Sequence, residues 1–236
     1  MTSETKIAIP VMQETTEDII NTAKTYIKKG ADILELRLDR LGNVSSDIIK
    51  ETIEEIAFPI IANNRSKLLG GYFLGNERER IDILKSCCDL EFVEYIDIDL
   101  QTDSCLRKCL LGECEEKNIK TIISFHDFEK TPPIDDLIEI VNEEKLFGDI
   151  AKIAVMPKCL KDTISVLTIM SSCNNTIAIS MGELGSYTRL MASKFNAPIT
   201  FATAGDMTAP GQINIEIMEL ILNRELNKYK GSSDDI

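Results

Sequence analysis

The chain is 236 residues long, 44% hydrophobic, and carries a formal net charge of −13. That length suits two small domains or one α/β barrel, and the acidic balance disfavours nucleic acid and anionic membranes as partners while leaving open a small anionic substrate met by a local gathering of arginines. No apolar run is long enough to span a membrane, the polar N-terminus carries no secretory segment, and seven cysteines, with Cys87 and Cys88 adjacent, read as the reduced thiols of a cytoplasmic protein.

Strand-like and helix-like segments alternate along the whole chain. Apolar or β-branched runs predict strands at 6–12, 32–39, 59–65, 92–100, 120–126, 150–156, 176–181 and 198–203. Amphipathic spacing predicts helices at 16–29, 44–57, 78–88, 135–145 and 160–172, with a last helix from about 214 to 227. In the first of these, Ile19, Ile20, Ala23 and Ile27 recur at the helical period, and Gly30 stands where a left-handed C-terminal residue is expected. Strict alternation predicts a parallel sheet, and eight units predict its closure into a single (β/α)₈ (TIM) barrel over 1–230, with 231–236 a disordered tail. The rival is an open doubly wound sheet. Such a sheet usually carries a glycine-rich turn after its first strand, and the residues there are Gln13-Glu14-Thr15-Thr16.

Barrel chemistry sits at the C-terminal ends of the strands, so charge on a strand is informative. The second strand alternates Glu35, Arg37 and Asp39 with leucines, which puts the three on one face. A face of this kind points into a barrel, or into solvent in a half-exposed antiparallel strand. The third strand ends at Arg65, ahead of Gly70-Gly71, and offers a cation at the mouth. On the fourth, Asp97 and Asp99 share a face as ligands for a divalent metal or as partners for Arg37 or His126. His126, the only histidine, closes the fifth strand and suits general acid–base work.

The sixth strand places Lys152 inside an apolar run. Desolvation would push the pKa of such a lysine down and free its amine to attack a carbonyl. The alternatives are a structural lysine paired with Asp97 or Glu35, or one that reaches the strand rim. After the seventh strand, Gly182 and Gly185 suit a tight turn and Arg189 falls early in the next helix. After the eighth comes a Gly- and Pro-punctuated segment, Thr208 to Gln212, read as a loop over the mouth with Gln212 opening the last helix. Cys105, Cys109 and Cys114 fall on a helix without a CxxC pair or nearby histidine, which disfavours zinc.

These segments together resemble the type I 3-dehydroquinate dehydratases. The resemblance runs from Lys6 to about Asn227 and rests on Glu35 to Asp39, Arg65 with Gly70-Gly71, Ser124 to Phe128, Lys152 to Pro157, Ser180 to Gly182 with Arg189, and Ala209 to Gln212. It implies a lyase of the shikimate pathway of aromatic amino-acid biosynthesis, taking 3-dehydroquinate to 3-dehydroshikimate by syn elimination with neither cofactor nor metal, and working as a homodimer. Lys152 matches the Schiff-base lysine and His126 the acid–base histidine. Arg189 matches the arginine that grips the substrate carboxylate. Glu35, Arg37 and Arg65 match the polar wall, and Thr208 and Gln212 the loop over the substrate. Two positions depart from the family. Leu69 stands where a glutamate usually supports the histidine, so His126 is expected either to take its orientation from another acid, such as Asp97 or Glu35, or to work with a shifted pKa; Thr208 stands for a common serine. The rivals are a class I aldolase, which shares the lysine but wants a phosphate site after strands seven and eight, and a barrel that only binds a carboxylate ligand.

Overall fold

The computed structural model describes residues 5–42, 45–205 and 211–222. Nine strands form one sheet: β1 (Lys6–Val11), β2 (Ile33–Arg37), β3 (Ile60–Asn63), β4 (Val93–Asp99), β5 (Lys120–Asp127), β6 (Ile150–Val155), β7 (Thr176–Ser180), β8 (Ile199–Thr203) and β9 (Ile213–Asn214). Their order is β7-β6-β5-β4-β3-β2-β1-β8-β9, and the ladders are parallel. Parallel neighbours need crossover connections. Six of these are the helices α1 (Thr16–Lys28), α2 (Ser46–Ile56), α3 (Glu77–Ser86), α4 (Ser104–Glu116), α5 (Ile134–Phe147) and α6 (Leu160–Ser172). Two short helices, α7 (Gly182–Gly185) and α8 (Thr188–Met191), join β7 to β8, and α9 (Ile215–Ile221) follows β9. Among the described residues, no helix is long and apolar enough to cross a membrane.

The local sequence starts these helices. Thr15, Ser45 and Asp103 cap α1, α2 and α4 by accepting from backbone amides of the first turn. Asn76 and Glu79 form a reciprocal capping box at the head of α3. At the foot of α1, Gly30 takes φ +100°, and a Cβ there would fall 2.3 Å from Oε1 of Glu219 on α9. The last helix thus runs back to the amino end of β2.

The period of two along each strand sends residues to two faces. Ala8, Ile33, Ile61, Tyr95, Ile122, Ile150, Ile177 and Ile199, one from each of β1 to β8, join a single apolar cluster on the inner face. The sheet is curled: Lys152 on β6 comes within 3.4 Å of Glu35 on β2 and 4.4 Å of the Phe201 ring on β8, strands that do not neighbour it in the order. The outer face packs on the helices: Leu34, Ile60, Ile96 and Ile123 pack with Ile19, Ile53, Ile81 and Leu84, while Ile153 and Val155 pack with Leu137, Val141 and Val166. The ladders leave β7 and β9 at the two ends of this curled sheet. Helix α8 spans the gap between β7 and β8: Thr188 Oγ1 accepts from Ser180 N, and Thr200 Oγ1 donates to the Arg189 carbonyl.

The expected strands are all present; the fifth runs one residue further, to Asp127, and the others are shorter at one or both ends. The second ends at Arg37, and Leu38–Arg40 turns as a 3₁₀ helix across which the Arg37 guanidinium forks onto Asp39 (2.9 and 2.6 Å). Asp39 therefore does not share the strand face with Glu35. Gln212 does not open the last helix; it precedes β9, a strand the sequence did not suggest, and Asn214 caps α9 by accepting from Glu216 N. The expected tail lies outside the described residues.

One tie between helix and sheet is ionic. Arg80 on α3 is fully buried and donates to Glu77, to the Asn64 carbonyl and to Thr102 Oγ1 (2.7 Å each at its terminal nitrogens), with Asp99 at 3.7 Å. Arg80→Met should cost about 3–5 kcal/mol, since it leaves Asp99 and the Asn64 carbonyl without this buried cation. Urea denaturation would read the loss, and an unmoved midpoint would contradict it.

Candidate active site

The C-terminal strand ends surround a small cavity that is partly open to solvent. Lys152 reaches it from β6 and is 4% exposed. Its Nζ donates to Asp97 Oδ2 at 2.6 Å and to Glu35 Oε1 at 3.4 Å, and lies 4.4 Å over the Phe201 ring. The neighbours hold these acceptors in turn: Ser124 Oγ donates to Asp97 (2.6 Å) and Asn63 Nδ2 to Glu35 (3.0 Å). Register makes this possible, because Ser124 stands opposite Lys152 on the adjoining strand, and Asn63 opposite Asp97. Burial pulls the Asp97 carboxyl upward, but Lys152 and Arg65, with the bonds from Lys152 and Ser124, outweigh it and hold the group below its ordinary value.

His126 points into the same cavity from the end of β5, its side chain 7% exposed. The ring stacks on Phe128, with centroids 6.0 Å apart and planes 19° off parallel. Burial first, then the cations Arg65, Lys152 and Arg37, push the imidazole well below its ordinary pKa. It is therefore neutral near pH 7 and has a lone pair with which to take a proton.

Three arginines line the walls. Arg37 is fixed by its fork to Asp39, and Asp39 in turn accepts from Tyr72 N (3.0 Å), which pins the segment after β3. Arg65 Nε lies 3.5 Å from Asp99 Oδ1. Arg189, 2% exposed, donates to the carbonyls of Ser180 (3.3 Å) and Gly211 (3.0 Å), and burial pushes its guanidinium down to about 10. Gln212 lines the cavity as well.

The structure thus brings together Lys152, His126, Glu35, Arg37, Arg65, Arg189 and Gln212 around one cavity. Thr208 lies outside the described residues. Lys152 does not sit at the strand rim; it pairs with both acids that the sequence offered. Of the acids the sequence offered to His126, Asp97 and Glu35 bond Lys152 instead, and Asp99 lies beside it, at 3.8 Å from Nδ1; the alternative of a shifted imidazole pKa agrees with its burial. Asp97 and Asp99 meet Lys152, Arg65 and Arg80 rather than forming part of a metal-binding group among the described residues. Sequence reasoning missed Ser124 and Asn63 as supports, and Arg80 behind Asp99. A helical wheel carries a signal for Arg80, which lies one turn before buried Leu84 on the inward face. Chemically, the arrangement offers an amine in reach of carboxylates that can take its proton, a neutral imidazole, and guanidinium groups that can hold a carboxylate.

Comparison with known proteins follows the same lines. Residues 7–227 match the family described as type I 3-dehydroquinase. A 3-dehydroquinate dehydratase of Methanobrevibacter smithii is 55% identical over 96% of this chain and 99% of its own. One of Methanothermobacter thermautotrophicus is 44% identical over 90% of this chain and 94% of its own. Among solved structures, 3-dehydroquinate dehydratase from Geobacillus kaustophilus superposes with a TM-score of 0.88 at 27% identity, covering 96% of this chain and 93% of that one. A type I enzyme from Clostridium difficile, with covalently modified comenic acid, superposes at 0.87 with 29% identity, covering 96% and 94%.

Because His126 is the only histidine, its titration can be followed by NMR without assignment. The midpoint should lie well below about 6.5, the value of an unperturbed histidine. A group whose pKa falls on folding stabilises the fold above its unfolded pKa, and that stability is lost as pH falls through the folded value. His126→Gln should therefore lose less stability than the wild type between pH 7 and 5 in urea titrations. A midpoint at or above 6.5, or equal losses in the two proteins, would contradict the burial argument.

Proposed function

Since the chain belongs to the type I 3-dehydroquinase family, we propose that it dehydrates 3-dehydroquinate to 3-dehydroshikimate, in the shikimate pathway of aromatic amino-acid biosynthesis, through an imine on Lys152. The observation that carries this reading is a buried lysine facing a cavity, with its ammonium between two carboxylates. Asp97 takes a proton from Lys152, and the freed amine adds to the C3 ketone. Loss of water gives the iminium, which acidifies the neighbouring C2–H by drawing its electrons. The neutral His126 removes that proton to give an enamine. The enamine electrons then expel the C1 hydroxyl, which leaves as water with the proton returned by His126. One base serving both steps makes the elimination syn. Hydrolysis of the product imine frees Lys152. The imine is itself the electron sink, so this route calls on no metal or cofactor.

The remaining residues bind and orient. Arg189 takes the substrate carboxylate by a paired N–H fork. Glu35, Arg37 and Arg65 face the substrate hydroxyls, and Thr208 and Gln212 cover it. The same reading makes residues 1–230 one closed (β/α)₈ domain, supported by the curl that lets Lys152 on β6 reach Glu35 on β2 and Phe201 on β8. It also makes the protein a cytoplasmic homodimer.

Borohydride added to protein turning over 3-dehydroquinate should leave a reduced adduct on the peptide that holds Lys152, read by intact mass and peptide mapping. Lys152→Ala should give neither adduct nor product. His126→Ala should keep the adduct and lose turnover by roughly 10²–10⁴-fold. Product formation without any lysine adduct would sink the imine and keep the dehydration. Neither adduct nor product in the wild type would sink both.

A further inference from the structure

We propose that Asp99 is the positioning carboxylate of His126, accepting from Nδ1–H so that the Nε2 lone pair faces the substrate. This rests on the reading of His126 as the base. A neutral imidazole carries one N–H, and the partner of one nitrogen decides which of the two is left as the acceptor. His126 Nδ1 is buried and makes no hydrogen bond within the described structure. Asp99 Oδ1 lies 3.8 Å from it, about 0.6 Å beyond hydrogen-bond range.

Among the described residues, the other acids around the cavity are committed elsewhere. Asp97 accepts from Lys152 and Ser124, Glu35 from Lys152 and Asn63, and Asp39 from Arg37 and Tyr72. Leu69, half-buried beside Gly70, brings no carboxylate. Asp99 is backed by two cations that do not close on it: Arg65 Nε at 3.5 Å and Arg80 Nη1 at 3.7 Å. Arg65 Nε, like His126 Nδ1, is buried without a hydrogen bond. Three polar groups thus converge on Asp99 at distances just too long to bond. Catalytic hydrogen bonds are commonly this long before substrate is bound and tighten in the complex. Arg80 is fixed to Glu77, the Asn64 carbonyl and Thr102, so Asp99 has a rigid floor against which to shift. The Phe128 stack holds the ring plane meanwhile.

The pH dependence separates positioning from mere support. The charged groups facing this pair are Arg37 from β2, Arg65 after β3, Asp97 from β4, Lys152 from β6 and Arg80 from α3. Asp99→Asn removes one negative charge from this set, which disfavours the imidazolium. The acidic limb of the kcat profile should therefore move to lower pH, while its plateau falls on the order of 10–100-fold, the usual cost of losing a histidine's orienting partner. Borohydride trapping on Lys152 should persist, and Asp99→Glu should recover much of the rate. Independently of any variant, the ¹⁵N shifts of the single histidine should report Nδ1–H with substrate bound. An Nε2–H tautomer, undiminished turnover in Asp99→Asn, or a fall with the limb unmoved would overturn the proposal and leave the Lys152 imine standing. Absence of the imine in wild type and variant alike would remove the reading beneath it and overturn both.

Discussion

An ammonium cannot be buried alone, and the inner face of this sheet is arranged around that constraint. Lys152 lies among Ile, Ala and Phe side chains of a parallel sheet, where an unpaired charge would cost far more than any single packing contact returns. Asp97 and Glu35 must therefore sit beside it, and carboxylates that are themselves buried need donors of their own. Ser124 and Asn63 supply them. The polar interior is thus a chain of obligations that begins at one nitrogen and spreads across β2 to β6. Replacing any one member changes the environment of the others, so single substitutions here are expected to be non-additive.

The same logic explains how a chain of net charge −13 builds a cationic cavity. Arg37 is locked by Asp39, Arg65 leans on Asp99, and Arg80 closes the rear of Asp99 from the helix layer. Each acid lies deeper than, or beside, the cation it steadies, so guanidinium groups rather than carboxylates form much of the polar wall. Low-dielectric walls around such groups concentrate their field on the opening. A small anion is drawn in while the acidic exterior repels larger polyanions.

The repeat of strands and helices was legible because it rests on periodicity, which a sequence carries without knowledge of partners. Lys152 and His126 stood out for the same local reason: each is an ionisable residue in a place where packing alone would choose an apolar one. What stayed hidden was pairing across distance. Nothing near Ser124 or Asn63 says that each will serve an acid on a neighbouring strand, because that depends on register between segments 27 and 28 residues apart. Arg80 was lost in a run of alternating charge that reads as a solvated face, although its helical position points inward. The 3₁₀ turn that carries the Arg37–Asp39 fork ends the second strand early, and the alternation of charge and leucine through 39 gives no sign of it. Which of the acids would stand beside His126 stayed open, since sequence cannot tell that Lys152 uses both Asp97 and Glu35 and leaves Asp99.

The contact between Glu219 and Gly30 has an architectural consequence. It places α9 at the amino ends of the strands, beside the start of β1, whereas the cavity opens at the carboxyl ends. Entry to the first strand and the end of the last described helix therefore share the side of the sheet that faces away from the mouth. A label carried on the exposed Ile221 position at the end of α9 would sit on that side and leave the path of the substrate clear.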